Sequence, residues 1–227
     1  MTQGTRFARN LVVVTKSDTT SVRYERNAFA DPQLLISVST TGSIERKYVQ
    51  EIADLIVRQE LKNGIGQLRR QHNRLAEEKT RKLLGCSLWV PEDLAKMKEG
   101  HDFLWLSNDA ARGMQNVCIY RYSAKMLSAN LVRQKTDSIL QANIPGEREG
   151  TWMQLVSQEA LQEDTTLCMR GLWEVKGDAM GGPYVSLSIL QGDSIITALA
   201  FVYAPEQRKR NIIRRLEAAL YTMKREY

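Results

Sequence analysis

Few residues in this chain have the types and spacing that catalysis requires. None of the common phosphate-binding, nucleophile-elbow, zinc-protease or calcium-loop motifs occurs in the sequence. His72 lies on an apolar helical stripe, where a packed and hydrogen-bonded side chain is commoner than a ligand, and His101 has no nearby nucleophile. Glu174 and Asp178, which flank Lys176, form the best acid–base candidate. Salt-bridged strand ends are the commoner explanation for such a pair.

Two further features of the sequence could bind a ligand without catalysing a reaction. The Gly-Gly-Pro turn at residues 181–183 could present backbone N–H groups to an anion, although a plain turn is favoured. Trp105 and Trp173 each follow a leucine in a strand-like run. Aromatic side chains on strands mostly fill cores, but exposed ones would line a cleft for a carbohydrate, peptide or cell-wall ligand. The residues predicted to bind a ligand are Trp105, Trp173, Glu174, Asp178, Gly181 and Gly182, and no catalytic residue, metal ligand or cofactor is predicted.

Composition and charge exclude several classes of protein. The 227 residues are 43% hydrophobic, as in ordinary globular domains, and no apolar run reaches the 18 residues or so of a transmembrane helix. The N-terminal apolar stretch of four residues is too short for a signal peptide, so the chain as given predicts a cytoplasmic protein. The three cysteines are widely separated, which argues against a zinc site or a dense disulfide framework but leaves one bridge open.

The net charge of +6 is concentrated in two predicted helices. One cluster spans residues 69–82 and the other spans residues 208–215. Such clusters could bind nucleic acid or anionic lipid. Glutamates lie among the basic residues and stacking aromatics are lacking, so we expect solvated helix faces and no specific nucleic-acid binding.

The order of elements predicts an α+β fold with a largely antiparallel sheet, because strands followed by a helix recur three times. One domain over residues 1–227 is predicted, with possible sub-units 9–84, 85–150 and 151–227. In the first sub-unit, strands at 10–16 and 22–26 should pair with each other, and a third strand at 33–39 should precede a helix from Ser43 to about Leu83. Gly64 and Gly66 predict a kink or break in that helix.

The hydrophobic periodicity also predicts the strands and helices that follow residue 85. A short strand at 86–90 precedes a helical or turn segment at 92–100, and strands at 103–107 and 116–122 precede a helix at 124–141. A strand at 152–156 should be followed by a polar connection over 157–166. Three further strands and a helix after Pro205 should form the stability core over residues 167–227, with 195–203 covered on both faces.

Four stretches resemble a known family. They read LGCSLWVPEDLAKMKEGHDFLWLSND, QANIPGEREGTWMQ, RGLWEVKGDAMGGPYVS and FVYAPEQRKRNIIRRLEAALYTMK. They are similar to a Bacteroidetes family of uncharacterised proteins, catalogued as a domain of unknown function, and the similarity runs from about Arg9 to the C-terminus. The resemblance implies a cell-envelope protein whose longer precursor carries a lipoprotein-type signal peptide and a lipid anchor.

These observations favour a non-enzymatic cell-envelope protein that binds a ligand or a protein partner. A carboxylate-dependent hydrolase or transferase acting on an envelope polymer is the alternative from a different class. Weak nucleic-acid binding through the basic helix faces is a third possibility. A solvent-facing tryptophan groove would favour ligand binding, and converging carboxylates in a cleft would favour an enzyme. One continuous basic face would favour nucleic-acid binding.

Overall fold

The computed structural model describes residues 5–110, 113–144, 146 and 148–225, so Pro145, which stands after the helix predicted at 124–141, lies outside the described residues. The chain divides into two compact units, residues 1–63 and 64–227. Each unit is described by itself below. Whether residues 1–227 form one domain stays a prediction.

The first unit is a three-stranded sheet covered by a helix. Its strands are β1 (Asn10–Lys16), β2 (Ser21–Arg26) and β3 (Leu34–Thr40), and the helix is α1 (Arg46–Arg70). The strand order is β1-β3-β2, with β3 parallel to β1 and antiparallel to β2, so the predicted pairing of β1 with β2 is wrong. Alternate residues of β3 are apolar and fully buried, which makes it the better central strand. The core consists of Leu34, Ile36 and Val38 packed against Val22, Ile44, Ile52, Leu55 and Ile56.

The second unit is built on a seven-stranded antiparallel sheet. After the C-terminal part of α1 come α2 (Arg74–Leu84), β4 (Cys86–Ser87), β5 (Lys96–Gly100), β6 (Phe103–Ser107), β7 (Met114–Ser123), α3 (Ala129–Asn143), β8 (Trp152–Glu163), β9 (Thr166–Lys176), β10 (Gly181–Gln191), β11 (Ser194–Tyr203), α4 (Arg210–Leu220) and β12 (Lys224–Arg225). The large sheet has the order β5-β6-β7-β11-β10-β9-β8, and β12 pairs with β4. The predicted α+β fold with a largely antiparallel sheet is confirmed.

Strand β11 lies at the centre of this sheet and is buried along both faces, as its almost wholly apolar sequence predicts. Its residues Ile195, Leu199 and Phe201 belong to the core cluster that contains Val132 and Leu140 of α3. Helix α4 packs against β11 and β10 and contributes the fully buried Leu216 and Leu220. The predicted role of the C-terminal helix as a cover for β11 is confirmed. All three cysteines are buried thiols.

The predicted break at Gly64 and Gly66 is wrong. Helix α1 continues without interruption to Arg70, and the chain leaves the helix only at residues 71–73. A β-carbon built on Gly64 would lie 2.7 Å from the β-carbon of Ala218, whereas one built on Gly66 would meet nothing within 4 Å. Gly64 therefore allows close approach to α4, and neither glycine interrupts the helix.

Two segments predicted to lack strand structure are strands. Residues 96–100, assigned to a helix or turn, form β5, which pairs with β6. The connection predicted over 157–166 is mostly the outer half of β8, which pairs with β9 as far as Glu163. Both are edge strands with many exposed polar side chains, so their sequences lack the apolar alternation that signals a half-buried strand.

Candidate functional site

Trp173 belongs to the core. Its side chain is 3% exposed and makes edge-on contacts with the rings of Phe201, at 5.2 Å, and Tyr203, at 6.5 Å. The indole reaches these partners across Gly182, because a β-carbon built there would lie 3.2 Å from the Trp173 Nε1 atom. Gly182 thus leaves room for the indole. Trp173 Nε1 itself is buried and has no hydrogen-bond partner among the described residues.

Trp105 lies far from Trp173 in the same sheet. Three strands (β7, β11 and β10) separate β6 from β9, which places the two backbones about 19 Å apart at ordinary strand spacing. Trp105 is half-buried, and its Nε1–H donates to Asn116 Oδ1 at 2.9 Å. The two tryptophans therefore do not form one groove.

The predicted carboxylates each have a local partner. Glu174 is exposed and accepts a hydrogen bond from Gln154 Nε2 at 2.8 Å, while Asp178 accepts one from the backbone of Ala179 at 2.6 Å. Glu174 follows Trp173 in β9, so the two side chains lie on opposite faces of the sheet. Gly181 pairs with Glu174 as a regular residue of β10. The structure does not bring the six predicted residues together at one surface.

Two cavities mark a different candidate site, at the end of α1. The larger has a volume of about 550 Å³. Helix α1 provides Gly64, Gln67, Leu68 and Arg70, and the other lining residues are Gln71, Pro91, Glu92, Asp93 and Arg215. The smaller, of about 400 Å³, is lined mainly by residues 72–75 and shares Glu92 with the first. We refer to the two cavities together as the Glu92 cleft.

A hydrogen bond joins two lining residues of the Glu92 cleft. Gln71 Nε2 donates to Glu92 Oε2 at 2.7 Å, which ties the end of α1 to the loop after Val90. Asn73 fixes the same loop, since its backbone N–H donates to Val90 O and its side-chain amide donates to Leu94 O. Asn73 is also the N-cap of α2, where its side chain accepts from Ala76 N at 3.0 Å. The break between α1 and α2 is therefore a fixed part of the cleft wall.

The larger cavity contains a buttressed ion pair. Arg215 donates from both terminal nitrogens to the two carboxylate oxygens of Asp93, at 2.9 and 2.5 Å, and one of these nitrogens also donates to Gln115. These hydrogen bonds lower the pKa of Asp93 against the opposing effect of burial. Among the described residues, the side chains of Arg70 and Gln67 have no hydrogen bond or ion pair. Both remain available to a ligand.

His72 lines the smaller cavity and has both ring nitrogens engaged. Nδ1 lies 2.8 Å from the carbonyl oxygen of Leu68, and Nε2 lies 2.9 Å from Glu77 Oε2. A carbonyl can only accept, so Nδ1 donates to Leu68, and Nε2 lies within hydrogen-bond distance of the Glu77 carboxylate. The ring also stacks on Trp89 at 5.3 Å. As a packed, hydrogen-bonded residue, His72 matches its prediction and offers no free nitrogen to act as a base.

Glu77 is the centre of the network around His72. Besides the imidazole, it accepts hydrogen bonds from Ser87 Oγ at 2.9 Å and from Trp89 Nε1 at 3.2 Å, and it pairs with Arg81. Burial raises the pKa of Glu77, but the hydrogen bonds from His72, Ser87 and Trp89 outweigh it, so the pKa lies below its ordinary value. This network holds α2 against the segment after β4.

The basic clusters contain several ion pairs. Arg81 pairs with Glu77, Lys79 with Glu99 and Arg215 with Asp93. No group of three or more potential metal-ligating side chains occurs within the described residues. Of the helices in the described part of the chain, none combines the length and the apolarity needed to cross a membrane.

A family model described as "Domain of unknown function (DUF4837)" matches residues 73–222, which is more than half of the chain. The chain belongs to this family. No curated protein matches the sequence. The DUF4837 match includes Glu92, Asp93 and Arg215 of the cleft and begins at Asn73, after the α1 face that forms the opposite wall.

The solved structures that match this chain include two with low TM-scores. The solution structure of cyanobacterial PsbP (CyanoP) from Synechocystis sp. PCC 6803 is 13% identical, the match covers 62% of this chain and 86% of that chain, and the TM-score is 0.38. A crystal structure from Bacteroides thetaiotaomicron VPI-5482 is 14% identical with a TM-score of 0.31, and the match covers 63% of this chain and 46% of that chain. This chain thus spans less than half the length of the Bacteroides protein. Neither similarity carries an argument about function.

The Glu92 cleft was not predicted from the sequence. One signal was present, because residues 64, 67, 68 and 71 follow the i, i+3, i+4, i+7 spacing of a single helical face. Three of the four are glycine or glutamine, so that face does not have the apolar character of a packing face. The approach of Arg215 depends on its contact with Asp93, 122 positions away in the sequence, which no local pattern indicates.

Proposed function

We propose that this protein is a non-enzymatic binding protein of the cell envelope that holds a small zwitterionic ligand, such as an amino acid or short peptide, in the Glu92 cleft. The observation that carries the proposal is the larger cavity, where the unpaired guanidinium of Arg70 and the carboxylate of Glu92 line the same space. An anionic group of the ligand would bind Arg70, and its ammonium group would bind Glu92.

The hydrogen bonds around the cavity support this choice of ligand. Glu92 uses one carboxylate oxygen to accept from Gln71, and its other oxygen has no partner among the described residues. The side-chain amide of Gln67 adds a donor and an acceptor to the same wall. Asp93 and Arg215 neutralise each other, so they contribute a rigid polar wall and little net charge. A ligand that carries both charges matches this set better than a simple anion or cation does.

The engagement of the neighbouring titratable groups supports binding without catalysis. General acid–base chemistry needs a side chain that can gain or lose a proton toward the substrate. His72 directs both nitrogens to protein acceptors, and Glu77 receives several donors. Neither group is free to exchange a proton with a ligand in the smaller cavity.

The test is isothermal titration calorimetry of the full chain with a panel of amino acids and dipeptides. We expect binding by at least one member, and a loss of tenfold or more with either Arg70→Ala or Glu92→Gln. Arg69→Ala is the matched control, because Arg69 is also exposed but does not line the cavity. Binding that tolerates both cleft substitutions, or the absence of binding across the panel, would refute the proposed site. Turnover of a bound peptide would instead favour the hydrolase alternative.

The envelope location rests on the resemblance of four sequence stretches to a Bacteroidetes family whose precursors carry a lipoprotein-type signal peptide. Within this proposal, the chain is the folded part of a longer precursor with a lipid anchor. Fractionation of the native cells, followed by immunoblotting, should recover the protein with the envelope membranes. Recovery in the cytosolic fraction would contradict the location and leave the cleft assignment open.

A further inference from the structure

The outer half of β8 is an edge strand with little cover. Strand β8 is the last strand of the seven-stranded sheet, so only one of its sides is paired, with β9. From residue 156 to residue 163 every residue except Gln158 is exposed, and Leu161 is 58% exposed. A long edge strand of this kind offers a row of backbone donors and acceptors to another chain.

The inner half of the same edge is covered by α3. The backbone N–H of Leu155 donates to Asp137 Oδ1 at 2.9 Å, and its carbonyl accepts from Arg133 at 2.8 Å. A register shift between Leu155 and Ser157 follows directly. Beyond it, no described side chain outside the β8–β9 hairpin hydrogen-bonds to the backbone of residues 156–163. Within the described residues, the inner half of this edge thus has hydrogen-bond partners on α3, whereas the backbone of the outer half has none beyond the β8–β9 hairpin.

The opposite edge of the sheet is protected. Strand β5 has only five residues and carries Lys96 and Lys98. Lys98 Nζ donates to the carbonyl of Asn143, and Lys96 pairs with Asp109. Short length and lysines are common protections against unwanted strand pairing. The outer half of β8 has neither a lysine nor a proline.

The open segment has a regular charge pattern. Glu159, Leu161 and Glu163 lie on one face of β8 because side chains alternate along a strand. Glu159 lies opposite Arg170 of β9, but Arg170 pairs with Glu217 of α4 instead. Within the described residues, the carboxylates of Glu159 and Glu163 have no hydrogen bond or ion pair. An acidic–apolar–acidic row therefore borders the open edge.

We propose that residues 156–163 of β8 bind an extended peptide segment of a partner protein as an eighth strand, and that this segment carries basic, apolar and basic side chains at alternate positions. The backbone of the partner would complete the hydrogen bonds of the edge, as in other cases of strand addition. Its two basic side chains would face Glu159 and Glu163, and its apolar side chain would pack on Leu161. This proposal is independent of the Glu92 cleft.

A second copy of this chain is a poor occupant. Two copies of β8 pairing antiparallel about Leu161 would place Glu159 of one copy opposite Glu163 of the other. Like charges directly opposite each other destabilise a strand pair. The charge row thus disfavours self-association and favours a basic partner.

The probe is a fluorescein-labelled, C-terminally amidated peptide, Thr-Lys-Thr-Val-Thr-Lys-Thr, titrated into the full chain at low salt and followed by anisotropy. We expect saturable binding that weakens as salt is added, and amide hydrogen exchange that slows within residues 156–163 when the peptide is present. The same peptide with glutamate in place of both lysines should bind at least tenfold more weakly. Equal binding of the two peptides would overturn the proposal, and so would protection confined to another segment.

A variant with reversed charges on β8 distinguishes a loss of charge recognition from a loss of folding. The double variant Glu159→Lys with Glu163→Lys should lose the lysine peptide by tenfold or more and gain the glutamate peptide. Glu78→Lys on α2 makes a similar change of charge at an exposed residue away from β8 and should leave the preference unchanged. Failure of the double variant to reverse the preference would refute the charge pairing. Concentration-dependent dimerisation of the unmodified protein through β8, detected by light scattering and exchange, would replace the peptide with a second copy and also overturn the proposal.

Discussion

Strand β11 and the outer half of β8 belong to the same sheet and differ in almost every other respect. All eight residues between the first and last of β11 are buried, whereas nearly every residue from 156 to 163 is exposed. The sequence of β11 is almost wholly apolar, and that of the outer β8 is polar and acidic. Both nevertheless form regular antiparallel pairs. Apolar content therefore reports the burial of a strand, while pairing with a neighbour can fix a strand that no apolar pattern indicates.

The difference suggests a division of roles within the second unit. Residues around β11 and α4 hold the fold together, because their side chains are buried on both faces of the central strand. Residues of the outer β8 bury little of their side-chain surface, so they are free to contact another molecule. Changes near β11 should therefore alter stability, and changes in outer β8 should alter association.

The largest expected difference is in amide hydrogen exchange. Amides of residues 195–203 should exchange only through global unfolding, whereas those of residues 156–163 should exchange through local opening of the edge. For a domain of ordinary stability, roughly 5–15 kcal/mol, the protection factors of the two segments should differ by several orders of magnitude. Mass spectrometry of peptic fragments provides the measurement. Equal rates in the two segments would show that β11 is not the most stable part of the sheet.

Replacing a buried leucine by alanine should have the next largest effect. Leu216 of α4 is fully buried, so Leu216→Ala should lower the free energy of unfolding by about 2–5 kcal/mol through lost contacts and a residual cavity. Leu161→Ala in outer β8 removes the same atoms from an exposed position, and its effect should stay within about 0.5 kcal/mol. Urea denaturation of both variants measures the contrast. Similar losses in the two variants would contradict the assignment of stability to the centre.

The same contrast between buried and exposed strands explains which strands can be predicted from the sequence. Strands β1 and β6 were predicted with their observed bounds, and β11 to within one residue, because each is an apolar run between clear turn residues. The predicted cover of β11 by the C-terminal helix follows from its helical apolar spacing. Outer β8 and β5 were missed because an edge strand with exposed side chains needs no apolar pattern.

The candidate site was harder to predict than the fold. Trp173 was assigned to a ligand site from its residue type, whereas the structure places it in the core against Phe201. The Glu92 cleft joins Gln71 to Glu92 and Asp93 to Arg215, and the second of these pairs spans 122 positions. Such contacts depend on how helices pack on the sheet, which periodicity does not specify.

A pair of glycines tests the packing of helix α1 on helix α4. Gly64→Ala would place a methyl group 2.7 Å from the β-carbon of Ala218, and overpacking of this kind costs about 1–3 kcal/mol, partly offset by about 1 kcal/mol of improved helix propensity. Gly66→Ala meets nothing within 4 Å and should stabilise the protein by up to about 1 kcal/mol. The two variants should thus differ by about 1–3 kcal/mol in thermal or urea unfolding. A stabilising Gly64→Ala would show that the two helices do not pack this closely.

The smallest effect concerns the hydrogen-bond network of Glu77, whose burial is intermediate between that of β11 and that of outer β8. Because the pKa of Glu77 is lowered in the folded protein, its ionised form stabilises the fold above its ordinary pKa of 4.5, and this contribution is lost as the pH falls through the lower folded-state pKa. Glu77→Gln cannot titrate, so the stability difference between the unmodified protein and this variant should shrink as the pH falls from about 5.5 to 3. Glu78→Gln, which removes an exposed carboxylate at the neighbouring position, is the matched control. Urea unfolding at each pH measures the difference, and a gap that stays constant would mean that the hydrogen bonds from His72, Ser87 and Trp89 do not favour the ionised carboxylate.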